Sequence, residues 1–278
     1  MTKTKVTVPQ LKGWKGQTKK FTMITAYDAL LASVIDKTPI ETILVGDSMG
    51  MVVYGYDSTV PVTMEQIVQH TKAVVKGAPN TFIVGDMPFG SYNVSVEDAV
   101  RNANRIIKEG GADCVKLEGG KNMAHVVAAL VNGGIPVMGH IGLTPQTAGQ
   151  LGGFKVQGKD AEAAKQLLED ARALEKAGAF SVVVECVPAP VAKMMTEELA
   201  IPTMGIGAGP NCDAQVLVTQ DMLGMFDRFV PKFVKQYAQM NQQMIDAINS
   251  FYQEVQDTTF PGLEHSFGMK EEELKRLY

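Results

Sequence analysis

Short apolar runs rich in Val, Ile and Thr alternate with helix-length amphipathic segments along most of the chain. This alternation is typical of repeated βα units whose strands form a parallel sheet. The pattern predicts eight strands, at 21–27, 42–47, 81–86, 114–118, 136–140, 181–186, 202–207 and 215–221. It predicts helices at about 28–37, 64–76, 95–109, 122–132, 160–177 and 190–199, with a weak or missing helix after the seventh strand. Thr63 and Ser95 are predicted N-caps. The fold class that follows is α/β, a (β/α)8 TIM barrel.

Beyond the eighth strand, apolar residues recur at spacings of three and four from Phe233 to Val255 and predict one long helix. This helix is interpreted either as the eighth helix of the barrel wall, which is favoured, or as a subunit interface. A short acidic-to-basic helix is predicted at the end of the tail. Because no repeat, linker or low-complexity tract interrupts the chain, we expect one barrel domain over 1–278 with a C-terminal helical extension.

Composition narrows the class of protein. With 278 residues, 45% of them hydrophobic, the chain has the length of one α/β barrel with a little extra. Its 26 basic and 30 acidic residues give a mildly acidic protein and nothing that suggests nucleic acid. No apolar stretch approaches the roughly 20 residues of a membrane helix, and the N-terminus lacks the apolar core of a signal peptide. The three cysteines form no CxxC pair. We therefore expect a cytoplasmic protein.

Five consecutive predicted strands end with polar or ionisable side chains. An unpaired charge inside a sheet that is buried on both faces costs several kcal/mol, so such residues belong where the strands emerge. In a (β/α)8 barrel all strands emerge at one rim, which carries the active site. The residues in question are Asp47, Asp86, Lys116, Glu118, His140 and Glu185.

Three of these residues, Asp47, Asp86 and Glu118, are carboxylates from the second, third and fourth strands. Neighbouring strands lie about 4.8 Å apart, so the three groups can converge on one point. Oxygen ligands without Cys or His companions suit a hard cation such as Mg²⁺. Alternatively, each carboxylate alone caps a following helix or pairs with a surface lysine.

The other three rim residues complete a candidate reaction centre. Lys116 faces the same side as Glu118, where it holds an anionic substrate, steadies an enolate or forms an ion pair with Glu118. His140 donates to a substrate oxygen, shuttles a proton or serves only as a structural polar group. Glu185 follows three valines and is the candidate general base. A 2-oxo acid held by a metal presents its far carbon to such a base.

Several loops at the same rim are long, notably 48–63 and 142–160, as expected of segments that cover a substrate. The glycine-rich GIGAGP at 205–210 is a weak signal for phosphate binding, since it also permits tight packing.

Ordered motifs along nearly the whole chain resemble one family. They include LVGDSMG at 44–50, GDMPFGSY at 85–92, VKLEGG at 115–120, GHIGLTPQ at 139–146 and VECVPAP at 184–190. Together they are specific for the ketopantoate hydroxymethyltransferase family of phosphoenolpyruvate/pyruvate-type barrels. The resemblance implies transfer of a one-carbon unit from 5,10-methylenetetrahydrofolate to 3-methyl-2-oxobutanoate, giving 2-dehydropantoate for pantothenate synthesis.

The resemblance also implies roles for individual residues. Asp47 and Asp86 are implied Mg²⁺ ligands, and Glu118 is a metal-site carboxylate that acts directly or through water. Asp47, Ser48, Asp86 and Lys116 are implied substrate contacts, Glu185 is the base, and His140 is an active-site residue without a settled role. The family further implies a cytoplasmic homo-oligomer, decameric in bacterial members.

Two residues depart from the family pattern: Ala214 stands where a Gly is expected and Gln220 where a His is expected. Two rival interpretations also stay open. One is another metal-dependent barrel enzyme, such as a carbon–carbon lyase or phosphoenolpyruvate mutase, although the lyase motif KKCGH is missing. The other is a catalytically silent scaffold.

Overall fold

The predicted barrel is confirmed in the computed structural model, which describes residues 3–226 and 229–278. Eight parallel strands pair in chain order, and β1 closes the barrel against β8. The strands are β1 Phe21–Thr25, β2 Thr42–Val45, β3 Phe82–Asp86, β4 Cys114–Glu118, β5 Val137–Gly142, β6 Ser181–Glu185, β7 Thr203–Ile206 and β8 Ala214–Leu217. The predicted span of 1–278 includes four residues outside the described ranges.

The helices lie close to their predicted positions. Their bounds are α1 Val8–Gly13, α2 Ala29–Asp36, α3 Met49–Val52, α4 Met64–Gly77, α5 Val96–Arg105, α6 Ala124–Asn132, α7 Ala161–Lys176, α8 Ala189–Glu198, α9 Thr219–Met222, α10 Met240–Gln256 and α11 Glu271–Leu274. Both predicted N-caps are confirmed: Thr63 accepts from the N–H of Gln66, and Ser95 accepts from that of Asp98. Residues 207–213, all described, contain no helix, as predicted after the seventh strand. Within the described ranges, no helix is both long and apolar enough to cross a membrane.

Two compact units make up the chain. The first consists of Met1–Thr219 with Pro231–Val234 and contains the barrel, and the second consists of Gln220–Val230 with Lys235–Tyr278. In the second unit, Phe260 packs edge-on against Phe251 of α10, with ring centroids 5.5 Å apart. The predicted short helix at the end of the tail is confirmed as α11.

The long C-terminal helix begins later than predicted. The apolar pattern starts at Phe233, but residues 233–239 are not helical. The N–H groups of Tyr237, Met240 and Asn241 donate to carbonyls of residues 222–224, so this stretch bonds to an earlier segment instead of to itself. No residue of α10 is buried, and Ile248 is 66% exposed. The favoured interpretation, a barrel-wall helix, requires a buried face that α10 lacks. The interface interpretation of this helix stays a prediction.

The eighth strand ends earlier than predicted. It stops at Leu217, and residues 219–221 belong to α9. The reason lies at Thr219, whose N–H donates to Oγ1 of Thr25 and whose hydroxyl donates to the carbonyl of Thr25. These bonds hold Thr219 at the end of β1 and take the place of further backbone pairing between β8 and β1.

An apolar cluster fills the barrel interior, and α1 packs against it. Leu11 of α1 is fully buried and packs with Phe21, Met23 and residues from the other strands, while Trp14 packs against the same cluster. In such barrels the N-terminal end contributes to stability, and the active site lies at the C-terminal end. Ala214, the first departure from the family pattern, is the first residue of β8 and is buried in this cluster, away from the C-terminal mouth.

Asp213 locks α1 to the bottom of the barrel. Its carboxylate accepts from the N–H groups of Gly16 and Thr203 and pairs with Lys15 at 3.0 Å. Burial tends to raise the pKa of Asp213, but these donors outweigh burial and lower it. The carboxylate form is therefore the one that stabilises the fold.

We predict that Asp213→Asn lowers the free energy of unfolding at pH 7 by about 1.5–3 kcal/mol, the usual value of hydrogen bonds to a charged group. The contribution of a carboxyl whose folded pKa is depressed is present above its unfolded pKa of 3.8 and is lost as the pH falls through the folded pKa. Urea unfolding at pH 7 and at pH 3.5 should therefore show a smaller gap between the two proteins at the lower pH. An equal gap at both pH values would contradict the charged role of Asp213.

Candidate active site

The six predicted rim residues all lie at the C-terminal mouth of the barrel. Asp86, Glu118 and Glu185 are the last residues of β3, β4 and β6. Asp47 follows the end of β2 by two residues, and Lys116 and His140 lie in β4 and β5. Five of the six are at most 5% exposed, whereas the side chain of Glu185 is 15% exposed. The sequence therefore placed these residues at the correct end of the barrel.

Strand register decides which of these residues meet. Asp86 of β3 lies directly opposite Lys116 of β4, and their side chains form an ion pair of 2.7 Å between Oδ1 and Nζ. The alternative that Lys116 pairs with Glu118 is therefore wrong, because the register gives the ammonium group to Asp86. Burial opposes charge on Lys116, but the carboxylates of Asp86, Glu118 and Asp47 outweigh it and raise the pKa of Lys116.

Asp47 is the neighbouring acidic residue that takes no part in the Lys116–Asp86 ion pair. Its N–H donates to Oδ2 of Asp86 at 3.2 Å, so the two residues are neighbours. Among residues 3–226 and 229–278, no ion pair to the Asp47 carboxylate is found. Burial, followed by the charge of Asp86, raises the pKa of Asp47 well above its usual value. A cation placed between Asp47 and Asp86 would relieve both effects.

A second group runs from Glu118 through His140 to Glu185. Glu118 lies opposite His140 in the register, with Oε1 3.3 Å from Nδ1, and Nε2 of His140 lies 3.1 Å from Oε2 of Glu185. Burial and the charge of Lys116 disfavour the imidazolium, but Glu118 and Glu185 outweigh them and raise the pKa of His140 to about 9. His140 therefore bridges two carboxylates, and it is more than an isolated polar group.

Glu185 owes its position partly to a glycine on the neighbouring strand. Gly142 pairs with Glu185 and has φ of +93°, a conformation that side chains disfavour. A Cβ atom at Gly142 would lie 2.2 Å from the carbonyl oxygen of Glu185, and that oxygen accepts from the N–H of Leu143. The missing side chain lets β5 and β6 approach where the candidate base emerges.

Ser48, a predicted substrate contact, lies beside Asp47 at the start of α3. Its Oγ is 2.8 Å from the hydroxyl of Tyr27, which comes from the loop after β1. The loop prediction for 48–63 missed the short helix α3, whose turn forms because the N–H groups of Gly50, Met51 and Val52 bond back to residues 47 and 48.

Two buried residues of the site, Gln146 and Tyr92, were not among the predicted ones. The Gln146 amide donates to Oδ2 of Asp47 and to the carbonyl of Met87, both at 2.9 Å. The hydroxyl of Tyr92 donates to Oε1 of Gln146 at 2.6 Å. Both residues belong to quoted motifs, GHIGLTPQ and GDMPFGSY, so the motifs contained the signal. Their burial depends on how loops fold back over the mouth, and the sequence does not show this.

The donor set fits a hard divalent cation. In the described part of the chain, no group of three or more His, Cys, Asp or Glu side chains is arranged to hold a metal. The site thus offers a pair of carboxylates, Asp47 and Asp86, while the oxygens of Glu118 face His140 and the N–H of Gln146. One or two carboxylates with several waters is the usual protein contribution to a Mg²⁺ site.

The closed barrel and its buried acidic mouth define a TIM-barrel enzyme. A model of the ketopantoate hydroxymethyltransferase family matches residues 5–263. The chain belongs to this family. A 3-methyl-2-oxobutanoate hydroxymethyltransferase of Heliobacterium modesticaldum is 65% identical over 274 residues, covering 99% of both chains. An enzyme of the same name from Clostridium botulinum is 55% identical and covers 99% of this chain and all of its own.

Solved structures share the fold at low sequence identity. A phosphonopyruvate hydrolase in complex with oxalate and Mg²⁺ has a TM-score of 0.62 and 11% identity, covering 98% of each chain. A 2,3-dimethylmalate lyase of the PEP mutase/isocitrate lyase superfamily has a TM-score of 0.59 and 14% identity, covering 98% of this chain and 94% of its own. At such identities the likeness shows the fold alone.

We predict that Lys116→Met is strongly destabilising, because it leaves Asp86 buried without its partner. Breaking a buried ion pair costs about 3–5 kcal/mol. Lys5→Met is a matched control, since it removes the lysine of the Lys5–Asp113 pair, whose side chains are 31% and 26% exposed, and should cost at most about 1 kcal/mol. Urea unfolding in the presence of EDTA measures both losses. Equal losses would show that the buried pair adds no more than a surface pair.

Proposed function

We propose that this chain transfers a hydroxymethyl group from 5,10-methylenetetrahydrofolate to 3-methyl-2-oxobutanoate and forms 2-dehydropantoate, a step of pantothenate synthesis. Family membership supports the type of reaction. The geometric observation that carries the proposal is the division of the buried acids into two groups. Asp47 and Asp86 form one group beside Lys116, and Glu118, His140 and Glu185 form the other.

The first group is proposed to hold the cation and the oxygen atoms of the substrate. Asp47 and Asp86 would hold Mg²⁺, with Glu118 reaching it through water. The ion supplies a Lewis acid for charge that develops on substrate oxygens. Lys116 adds a buried ammonium group that forms an ion pair with Asp86 and has three N–H donors. Lys116 and the hydroxyl of Ser48 orient the carboxylate and the keto oxygen of the 2-oxo acid.

The second group is proposed to move the proton. Glu185 removes hydrogen from C3 of 3-methyl-2-oxobutanoate, and the electron pair of the broken C–H bond is delocalised toward the C2 keto oxygen. His140, whose ring nitrogens lie 3.1 Å from Oε2 of Glu185 and 3.3 Å from Oε1 of Glu118, holds the Glu185 side chain in position. A general base placed in this way contributes about 10²–10⁴ in rate.

The one-carbon unit then joins the activated carbon. A new C–C bond forms between C3 and the methylene carbon derived from the folate, and the bonds from that carbon to the folate nitrogens break. One water supplies the hydroxyl oxygen, and tetrahydrofolate leaves with the protons. The site residues described above account for activation of the 2-oxo acid, and the folate is a second substrate.

The experiment that tests this function is a product assay. The full-length protein with Mg²⁺, 3-methyl-2-oxobutanoate and 5,10-methylenetetrahydrofolate should form 2-dehydropantoate, detected by mass spectrometry. Omission of Mg²⁺ or of the folate should abolish the product. Absence of product in the complete mixture would overturn the proposal, and cleavage of the oxo acid in the same mixture would favour a lyase.

We predict that Glu185→Gln separates proton transfer from binding. The variant keeps the size of the side chain but loses the proton acceptor, so exchange of the C3 hydrogen with D₂O should slow by about 10²-fold or more. NMR without folate isolates this step. Calorimetry should show nearly normal binding of Mg²⁺ and oxo acid.

Asp47→Asn is the matched comparison, because it should weaken binding of Mg²⁺ and oxo acid together. Undiminished exchange in Glu185→Gln would remove Glu185 from the role of base and transfer that role to His140. Unchanged binding in Asp47→Asn would remove Asp47 from the cation site.

We also propose that the protein is a cytoplasmic homo-oligomer and that the oligomer is a decamer. The motivation is the row of exposed apolar side chains on α10, where Ile248 and Phe251 are 66% and 56% exposed. Contiguous apolar surface of this kind usually marks an interface.

We predict that Ile248→Glu with Phe251→Glu shifts the molar mass, measured by multi-angle light scattering, toward that of smaller species. Gln243→Glu, at an exposed polar position of the same helix, should leave the mass unchanged. A wild-type monomer at micromolar concentration would overturn the oligomer. An unchanged mass in the double variant would place the interface elsewhere.

A further inference from the structure

Gln146 makes more connections across the mouth than its position in a short loop suggests. It lies in a single helical turn, Pro145–Thr147, and its side chain is only 3% exposed. Its backbone N–H donates to Oε2 of Glu118 at 3.0 Å, and its side chain reaches Asp47 and the carbonyl of Met87. Gln146, which lies in the loop after β5, therefore contacts two residues that follow β2 and β3 and the last residue of β4.

The orientation of the Gln146 amide is determined by its partners. The Asp47 carboxylate and the Met87 carbonyl are acceptors, so they require the two hydrogens of the NH₂ group. The opposite edge of the amide faces the hydroxyl of Tyr92, which has one proton to donate and gives it to Oε1 at 2.6 Å. A flipped amide would set its oxygen against two acceptors. Tyr92, itself 3% exposed, donates to the oxygen edge and therefore supports the orientation in which Gln146 donates to Asp47.

We propose that Gln146 and Tyr92 form a positioning pair that holds the Asp47 carboxylate beside Asp86 in the geometry that binds the divalent cation. The inference rests on the proposed function, in which Asp47 and Asp86 hold that cation. Neither residue is proposed to touch the substrate or to transfer a proton. Tyr92 acts on Asp47 only through Gln146.

Repulsion between carboxylates is the physical reason for such a pair. Asp47 and Asp86 are adjacent and buried, and before a cation binds, each would be stabilised by turning away from the other. The Gln146 amide donates to Oδ2 of Asp47 and opposes that rotation. The Asp47 side chain is therefore already ordered, and cation binding loses less conformational entropy. Outer-shell partners of metal ligands typically contribute about 10–100-fold to metal affinity.

Substitution at Gln146 isolates the contact with Asp47. Gln146→Met has similar length and volume but no donor, and its backbone N–H still serves Glu118. Tyr92→Phe removes only the hydroxyl that orients the amide. Thr71→Val is a control, because it removes a buried hydroxyl bonded to the carbonyl of Ile67 within α4, outside the rim.

The first test is calorimetric titration of the full-length protein with Mg²⁺, in the absence and in the presence of 3-methyl-2-oxobutanoate. Gln146→Met should weaken Mg²⁺ binding by about 10–100-fold. Tyr92→Phe should weaken it less, by no more than about 10-fold, the lower end of that range. Thr71→Val should bind as the wild type does. The double variant should bind no more weakly than Gln146→Met alone, because Tyr92 acts through the amide.

The second test separates positioning from chemistry. At saturating Mg²⁺, exchange of the C3 hydrogen in Gln146→Met should recover to near the wild-type rate, whereas Glu185→Gln should stay slow. Equal Mg²⁺ affinity in Gln146→Met and Thr71→Val would overturn the positioning role, as would additive losses in the double variant. If the wild type itself does not bind Mg²⁺, the proposed function fails; loss of these differences alone overturns only the present inference.

Discussion

The site depends on an imbalance of buried charge. At the mouth of the barrel, the register of β3, β4 and β5 places Asp86 opposite Lys116 and Glu118 opposite His140, so two acids each meet a base. Asp47 is left with an amide partner and with Asp86 as its neighbour. A carboxylate buried without a cation is costly, so it is either protonated or supplied with one. This surplus acid is the physical reason to expect a metal at that position.

In the proposed function, the same register also separates the two chemical tasks. The surplus acid, Asp47, lies on the side of β2 and β3. Glu185 emerges from β6, and His140 lies between Glu185 and Glu118. A substrate held by its oxygens on one side then exposes its reacting carbon on the other, which is the arrangement needed to stabilise charge and remove a proton in one step. The apolar cluster, which α1 packs against, stabilises the barrel, and the charged residues lie at the C-terminal mouth.

Much of this arrangement follows from alternation and spacing alone. Apolar runs that end in Asp86, Glu118 or Glu185 are typical of parallel strands that emerge at a rim. The capping side chains of Thr63 and Ser95 mark helix starts directly. The partner of Lys116 could not be predicted, because spacing along β4 favours Glu118 while register across the sheet selects Asp86. Gln146 and Tyr92 were missed for a related reason: loop residues become buried only when several loops meet. The predicted start of α10 was also wrong, because apolar periodicity does not show the hydrogen bonds that join residues 237–241 to residues 222–224.

A crystal structure with Mn²⁺ and 3-methyl-2-oxobutanoate tests the division of the site most directly. Anomalous scattering locates the metal, and the electron density of the oxo acid shows which way C3 points. The account predicts metal within bonding distance of the Asp47 and Asp86 carboxylates and C3 facing the carboxylate of Glu185. A metal bound between Glu118 and Glu185, or C3 directed toward Lys116, would contradict it.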